Sequence, residues 1–131
     1  MDYIQVDGVI YKGLHVVPPI KRSFNVLDGK NAGRSEFSGA MFRDVIGTFY
    51  NYSITVDPSA SDPDVYDAFY EAITSPEEQH EVVLPYGQGT LTFNAYVTTG
   101  SDDCSEIREN SKKWENFSFN IVAMKPQRTP L

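Results

Sequence analysis

Residues 46–57 read IGTFYNYSITVD. Ile46, Thr48, Tyr50, Tyr52, Ile54 and Val56 fall on one side of a period of two, and Gly47, Phe49, Asn51, Ser53 and Thr55 fall on the other. Successive side chains of an extended chain point to opposite faces. An alternation this long, built from β-branched and aromatic residues, therefore predicts a strand with one face better buried than the other.

The same period governs the stretches around it. Residues 114–124, WENFSFNIVAM, put Phe117, Phe119, Ile121 and Ala123 on one face. Residues 80–100, HEVVLPYGQGTLTFNAYVTTG, read as a short strand, a turn over Pro85 to Gly89, and a long strand with Leu91, Phe93, Ala95 and Val97 inward. Residues 100–112 are polar and acidic, and Glu109-Asn110-Ser111 is expected to turn a long hairpin. Near the start, Tyr3, Gln5 and Asp7 oppose Ile4 and Val6, and Val9-Ile10-Tyr11 follow Gly8. Asp7-Gly8 supplies the positive φ angles of a tight turn, so an edge hairpin is expected. Pro18-Pro19 interrupts the next apolar run, and a strand from Ile20 to Val26 is expected after it, since proline lacks the N–H a central strand needs.

One segment breaks the pattern. Asp62 reads as an N-cap, Pro63 as the first helical position and Asp64 as a charge near the positive end, with Val65, Ala68, Phe69, Ala72 and Ile73 on one stripe. The helix is expected over about residues 63–74, ended by Thr74-Ser75-Pro76. Tyr66 and Tyr70 flank the stripe and are expected to pack at the edge of the helix-to-sheet contact. A single helix cannot supply the crossovers of a parallel sheet. The expected fold is mainly β: an antiparallel β-sandwich or partly closed barrel with one flanking helix.

At 131 residues the chain is one domain by length, with 40% hydrophobic and 13% aromatic residues, which argues for a packed core over disorder. The formal charge is 11 − 18 = −7. Nucleic acid or an anionic membrane would be held only by a local basic patch working against that field, and basic residues cluster only at Lys21-Arg22 and Lys112-Lys113. Cys104 is the single cysteine, so neither an internal disulfide nor a thiolate metal site of the usual kind can form. The opening MDYIQVDGVIYKG has no basic region or apolar run of signal-peptide type, so the chain is expected in the cytosol, with the sequons at Asn51 and Asn116 unused.

Catalytic motifs find no support. Residues 27–39, LDGKNAGRSEFSG, resemble a phosphate loop in composition, but Gly29 and Gly33 are separated by only three residues, Arg34 stands in the lysine position, and no helix follows. His15 and His80 have no metal-ligand spacing, and no Gly-x-Ser-x-Gly elbow occurs. Asp102-Asp103 and Glu77-Glu78 are expected in turns, as solvated charge. No catalytic residue, metal or cofactor is expected. An aromatic platform for a sugar is the leading ligand alternative, although Tyr50, Tyr52, Phe93 and Phe117 fall on faces expected to be buried.

Residues 27 to about 42 form a connection of some sixteen residues, longer than compact domains usually carry without a function. It is expected to protrude, with its glycines providing flexibility. Phe37, Met41 and Phe42 would anchor a subunit interface, and Lys30, Arg34 and Arg43 would bond an acidic neighbour. A loop folded back on its own sheet is the alternative.

Four stretches, KRSFNVLDGKNAGR, SGAMFRDVIGTFYNYSITVD, LPYGQGTLTFNAYV and FNIVAMKPQRTP, resemble a family of small prophage proteins found among tailed-phage structural genes. The element order is also similar to the tail-tube-like fold of tube, distal-tail and baseplate components. The resemblance implies a non-enzymatic subunit of the virion tail, made in the bacterial host cytoplasm. It also implies a homo-oligomeric ring, often sixfold, whose sheets join around a channel that passes DNA without specific binding. Neighbouring tail proteins are the other implied partners, and no membrane is. A monomeric β-sandwich module binding carbohydrate or a protein partner remains the alternative.

Overall fold

The computed structural model describes residues 4–130; Tyr3 of the expected N-terminal alternation lies outside the described residues. The strands are β1 (Gln5–Val6), β2 (Val9–Ile10), β3 (Val16–Asp28), β4 (Gly33–Arg34), β5 (Met41–Phe42), β6 (Val45–Val56), β7 (His80–Tyr86), β8 (Gly89–Arg108) and β9 (Ser111–Ala123). A 3-10 turn over Pro58–Ala60 and helix α1 (Pro63–Thr74) lie between β6 and β7. Seven strands form one sheet in the order β2-β1-β7-β8-β9-β6-β3, with every pairing antiparallel. β4 and β5 pair separately as a small ribbon. The fold is mainly β, as expected, and the sheet stays open, with β2 and β3 as its edges.

The single sheet makes two facing layers by curling. Tyr52 Oη donates to the Pro85 carbonyl at 2.8 Å, and the Tyr50 and Tyr86 hydroxyls are 3.1 Å apart. These contacts join β6 to β7, although β8 and β9 separate the two in the sheet. Register shifts along β8 and β9, at Val97/Gly100, Ser101/Asp103 and Cys104/Glu106, supply local bends. Tyr52, Ile54, Val56, Val82, Leu84, Phe93, Ala95, Phe117, Phe119, Ile121 and Ala123 line the interior. Burying one large side chain of this kind contributes on the order of 1.5–3 kcal/mol.

Helix α1 closes one end of the curl. Asp62 Oδ1 accepts from the Asp64 N–H at 3.0 Å, and Pro63 occupies the first helical turn. Phe69 is fully buried against Phe117, Phe119 and Tyr11. The buried face is Tyr66, Phe69 and Ile73 with Tyr70 beside them, while Ala68 of the expected stripe is exposed. The contact is rotated toward the tyrosines because Phe117 offers its ring to both, at 5.8 Å from Tyr66 and 5.5 Å from Tyr70.

Other boundaries shift for local reasons. β3 starts at Val16, ahead of the expected Ile20, because Pro18-Pro19 sits in a register shift on an edge strand, where no ladder hydrogen bond is needed. The β7–β8 turn narrows to Gly87-Gln88, with Gly87 at φ 57°. Asp102 and Asp103 lie within β8, and the long hairpin turns after Arg108 as expected. Ile46 is exposed, so the well-buried half of the opening stretch is Tyr52 to Val56. The N-terminal hairpin turns at Asp7-Gly8, both at positive φ.

Beyond Ala123 the chain continues beside β6 as a strap. The Thr48 N–H donates to the Arg128 carbonyl at 2.8 Å, the Gln127 N–H to the Thr48 carbonyl at 2.9 Å, and the Tyr50 N–H to Gln127 Oε1 at 2.7 Å. The strap thus pairs a part of β6 that β9 does not reach.

Candidate assembly surface

Strand β3 is an outer edge of the sheet, thirteen residues long. Its first half carries the usual guards of an edge, Pro18-Pro19 and Lys21-Arg22. From Ser23 to Asp28 there is neither proline nor lysine, and Phe24 and Leu27 are exposed. An unguarded edge of this kind offers unpaired N–H and C=O groups to another strand.

The connection after β3 is a built arm over residues 29–44, shorter at its start than the expected 27–42 because Leu27 and Asp28 still pair with Gly47 and Val45. Gly33 pairs with Phe42 and Arg34 with Met41. At the tip, Ser35 Oγ accepts from the Phe37 and Ser38 N–H groups, and the Ser35 N–H donates to the Ala40 carbonyl at 2.8 Å. Two glycines of the arm also meet local steric demands. Gly33 lies under the Phe42 ring, where a Cβ would come within 3.3 Å, and Gly39 takes the left-handed turn at φ 71°.

The six expected contact residues divide into two groups. Phe37 is wholly exposed at the tip, with Met41 and Phe42 about half exposed behind it. The cations are mostly satisfied within the chain. Arg43 forks onto Asp28 through Nε at 3.1 Å and Nη2 at 2.9 Å, and Arg34 Nη1 donates to the Gly39 carbonyl at 3.2 Å. Both arginines brace the arm, since a short ribbon has little core of its own to hold it. Lys30 is exposed and makes no ion pair among the described residues.

Nine large hydrophobic residues are exposed among those described, and six of them, Phe24, Leu27, Phe37, Met41, Phe42 and Ile46, fall between β3 and the start of β6. That concentration falls on the β3 edge and the arm, with Phe24 and Leu27 on opposite faces of the strand.

Three polar constellations escaped sequence reading because their members are remote in the chain. Tyr66 Oη donates to Asp102 at 2.7 Å, and buried His80 meets Asp7 through Nδ1 at 2.7 Å. Arg22 stacks on Tyr86, its Cζ 5.2 Å from the ring centre, beside Tyr50. The hydrogen bond with Tyr86 holds the Tyr50 phenol below its ordinary pKa, against burial, with Arg128 and Arg22 adding to the effect. His15 is exposed in the loop just before β3, His80 is buried at the start of β7, and no hydrogen bond joins the two among the described residues.

A cleft of about 590 Å³ lies between the 3-10 turn, the start of α1 and the end of the β8–β9 hairpin, with Trp114 and Tyr66 in its wall. Comparison with protein-family models finds no match. Comparison with curated proteins finds none either.

Proposed function

We propose that the chain is a non-enzymatic structural subunit of a phage or prophage-derived tail, self-assembling into a ring or tube around a DNA channel. The observation that carries this reading is the gathering of exposed apolar side chains on one unguarded strand edge and its adjoining arm. In an isolated protein such a surface invites uncontrolled association, whereas in an assembly it is an interface. Phe37 at the tip, with Met41 and Phe42 behind it, would enter a neighbour, on an arm that Arg43 and Arg34 brace from within the chain.

The resemblance of the four stretches adds the tail setting, the sixfold ring and the neighbouring tail proteins as partners. The net charge of −7 fits a wall that lets DNA pass without holding it. Among the described residues no helix is long and apolar enough to cross a membrane. Negative-stain microscopy of the purified chain, alone and mixed with the products of adjacent tail genes, tests the reading. Rings or tubes support it; a strict monomer in every mixture sinks it.

A monomeric binding module is the second reading, favoured by the Trp114 cleft. Its lining combines the indole with Asn110, Ser111 and Asp67, groups suited to a sugar. Saturable binding of an oligosaccharide there by a chain that never oligomerises would replace the first reading with this one.

A further inference from the structure

The geometry points to a carboxylate-binding site at the mouth of the curled sheet, formed by Arg22, Arg128, Tyr50 and Tyr86, that takes an acidic, extended segment of a protein partner. On β3, Arg22 is paired opposite Tyr52 and Phe24 opposite Tyr50, so both side chains share the inner face with the tyrosines. The Tyr50 and Tyr86 rings meet edge to face at 5.2 Å, with their hydroxyls 3.1 Å apart. Arg22, Ser23, Phe24, Tyr50 and Tyr86 line a hollow of about 310 Å³. Arg128 is bridged antiparallel to Thr48, two residues from Tyr50 on the same face of β6, so its side chain starts from the side of the sheet that carries Tyr50.

The cluster lacks an anion. Neither Arg22 nor Arg128 makes an ion pair with any carboxylate among the described residues. In a chain of net charge −7 with many carboxylates to spare, two guanidinium groups without an ion pair, Arg22 over the Tyr86 ring and Arg128 opposite Thr48, form a complementary site for an outside oxyanion beside the two hydroxyls. A planar carboxylate matches the guanidinium fork. A polyphosphate would suffer the repulsion of the whole acidic body, which a short peptide with few charges largely escapes. Phe24, 71% exposed beside the hollow, adds an apolar contact for the residue next to the acid. Arg22, Tyr50 and Tyr86 are not among the exposed apolar residues of the assembly surface, so variants at these three separate anion binding from assembly.

Fluorescence anisotropy of a rhodamine-labelled, C-terminally amidated hexapeptide alternating glutamate and leucine, at low ionic strength, tests it. The expected result is saturable binding that weakens at least tenfold in the Arg22→Gln/Arg128→Gln double variant and severalfold in Tyr86→Phe. Lys112→Gln/Lys113→Gln, which removes the same charge elsewhere, should stay within twofold, and a peptide with glutamine for glutamate should not bind. Inorganic phosphate should displace the peptide no better than chloride at equal ionic strength. Equal losses in the two charge-removal variants, absence of saturation, or selective displacement by phosphate would each overturn the proposal. Arg22→Lys/Arg128→Lys, retaining charge without the fork, should bind between the two extremes, and matching thermal midpoints establish that all variants fold.

Discussion

Tyr66 on the helix donates a 2.7 Å hydrogen bond to Asp102 on β8, thirty-six residues away, and so ties the end cap of the core to the long hairpin. Burial, and after it the Asp102 carboxylate, hold the Tyr66 phenol far above its ordinary pKa.

Two consequences follow for Tyr66→Phe. At neutral pH the variant leaves Asp102 without its donor and should lose about 1–2 kcal/mol in urea unfolding. A group whose folded pKa is raised stabilises fully below its unfolded value and loses that contribution as pH rises. The wild type should therefore weaken above about pH 10, and the gap to the variant should narrow there. A gap unchanged between pH 7 and pH 11 would mean that the hydroxyl contributes packing only.

The opposite pH sense holds at the N-terminal hairpin. Burial raises the Asp7 carboxyl, but the bonds from His80 and the Glu81 N–H outweigh it, so its pKa lies below the ordinary value. A depressed carboxyl stabilises above its unfolded pKa, and the contribution disappears as pH falls through the folded one. Asparagine tolerates the φ of 51° at this position, so Asp7→Asn isolates the charge. With Asp7 about half exposed, the variant should cost less than about 1 kcal/mol at pH 7, and the cost should shrink steadily as pH falls below about 4. A difference that does not shrink on acidification would place the cost in the turn.

Gly47 permits the strap. A Cβ there would meet the Arg128 carbonyl and the Pro126 ring, each at 2.5 Å. Gly47→Ala should cost about 1–3 kcal/mol by forcing the strap away. Amide exchange should speed at Thr48 and Tyr50, whose N–H groups the strap accepts. Unaltered exchange at both would show that the backbone adjusts without releasing it.

Local signals were legible wherever the cause is local. The period of two at Tyr52–Val56 and Phe117–Ala123, the Asp7-Gly8 turn and the Asp62-Pro63 helix start all appear where the sequence places them. The curl was not legible, because it depends on Tyr50 meeting Tyr86 and Tyr52 meeting Pro85 across two intervening strands. The arm was legible in its exposed Phe37, Met41 and Phe42 but not in its arginines. Composition marks Arg34 and Arg43 as cations, while only the fold shows that a carbonyl and Asp28 already hold them.

Assembly through the β3 edge and arm is tested most directly by molar mass from light scattering across a concentration range, comparing the wild type with Phe37→Asp. Phe37 touches no core, so the substitution should change stability by less than about 0.5 kcal/mol and leave the circular-dichroism spectrum intact. The wild type should rise with concentration to a defined multiple of the monomer mass, and Phe37→Asp should need at least tenfold more protein to reach it. A wild type that stays monomeric throughout, or a variant that assembles as readily as the wild type, would contradict the account.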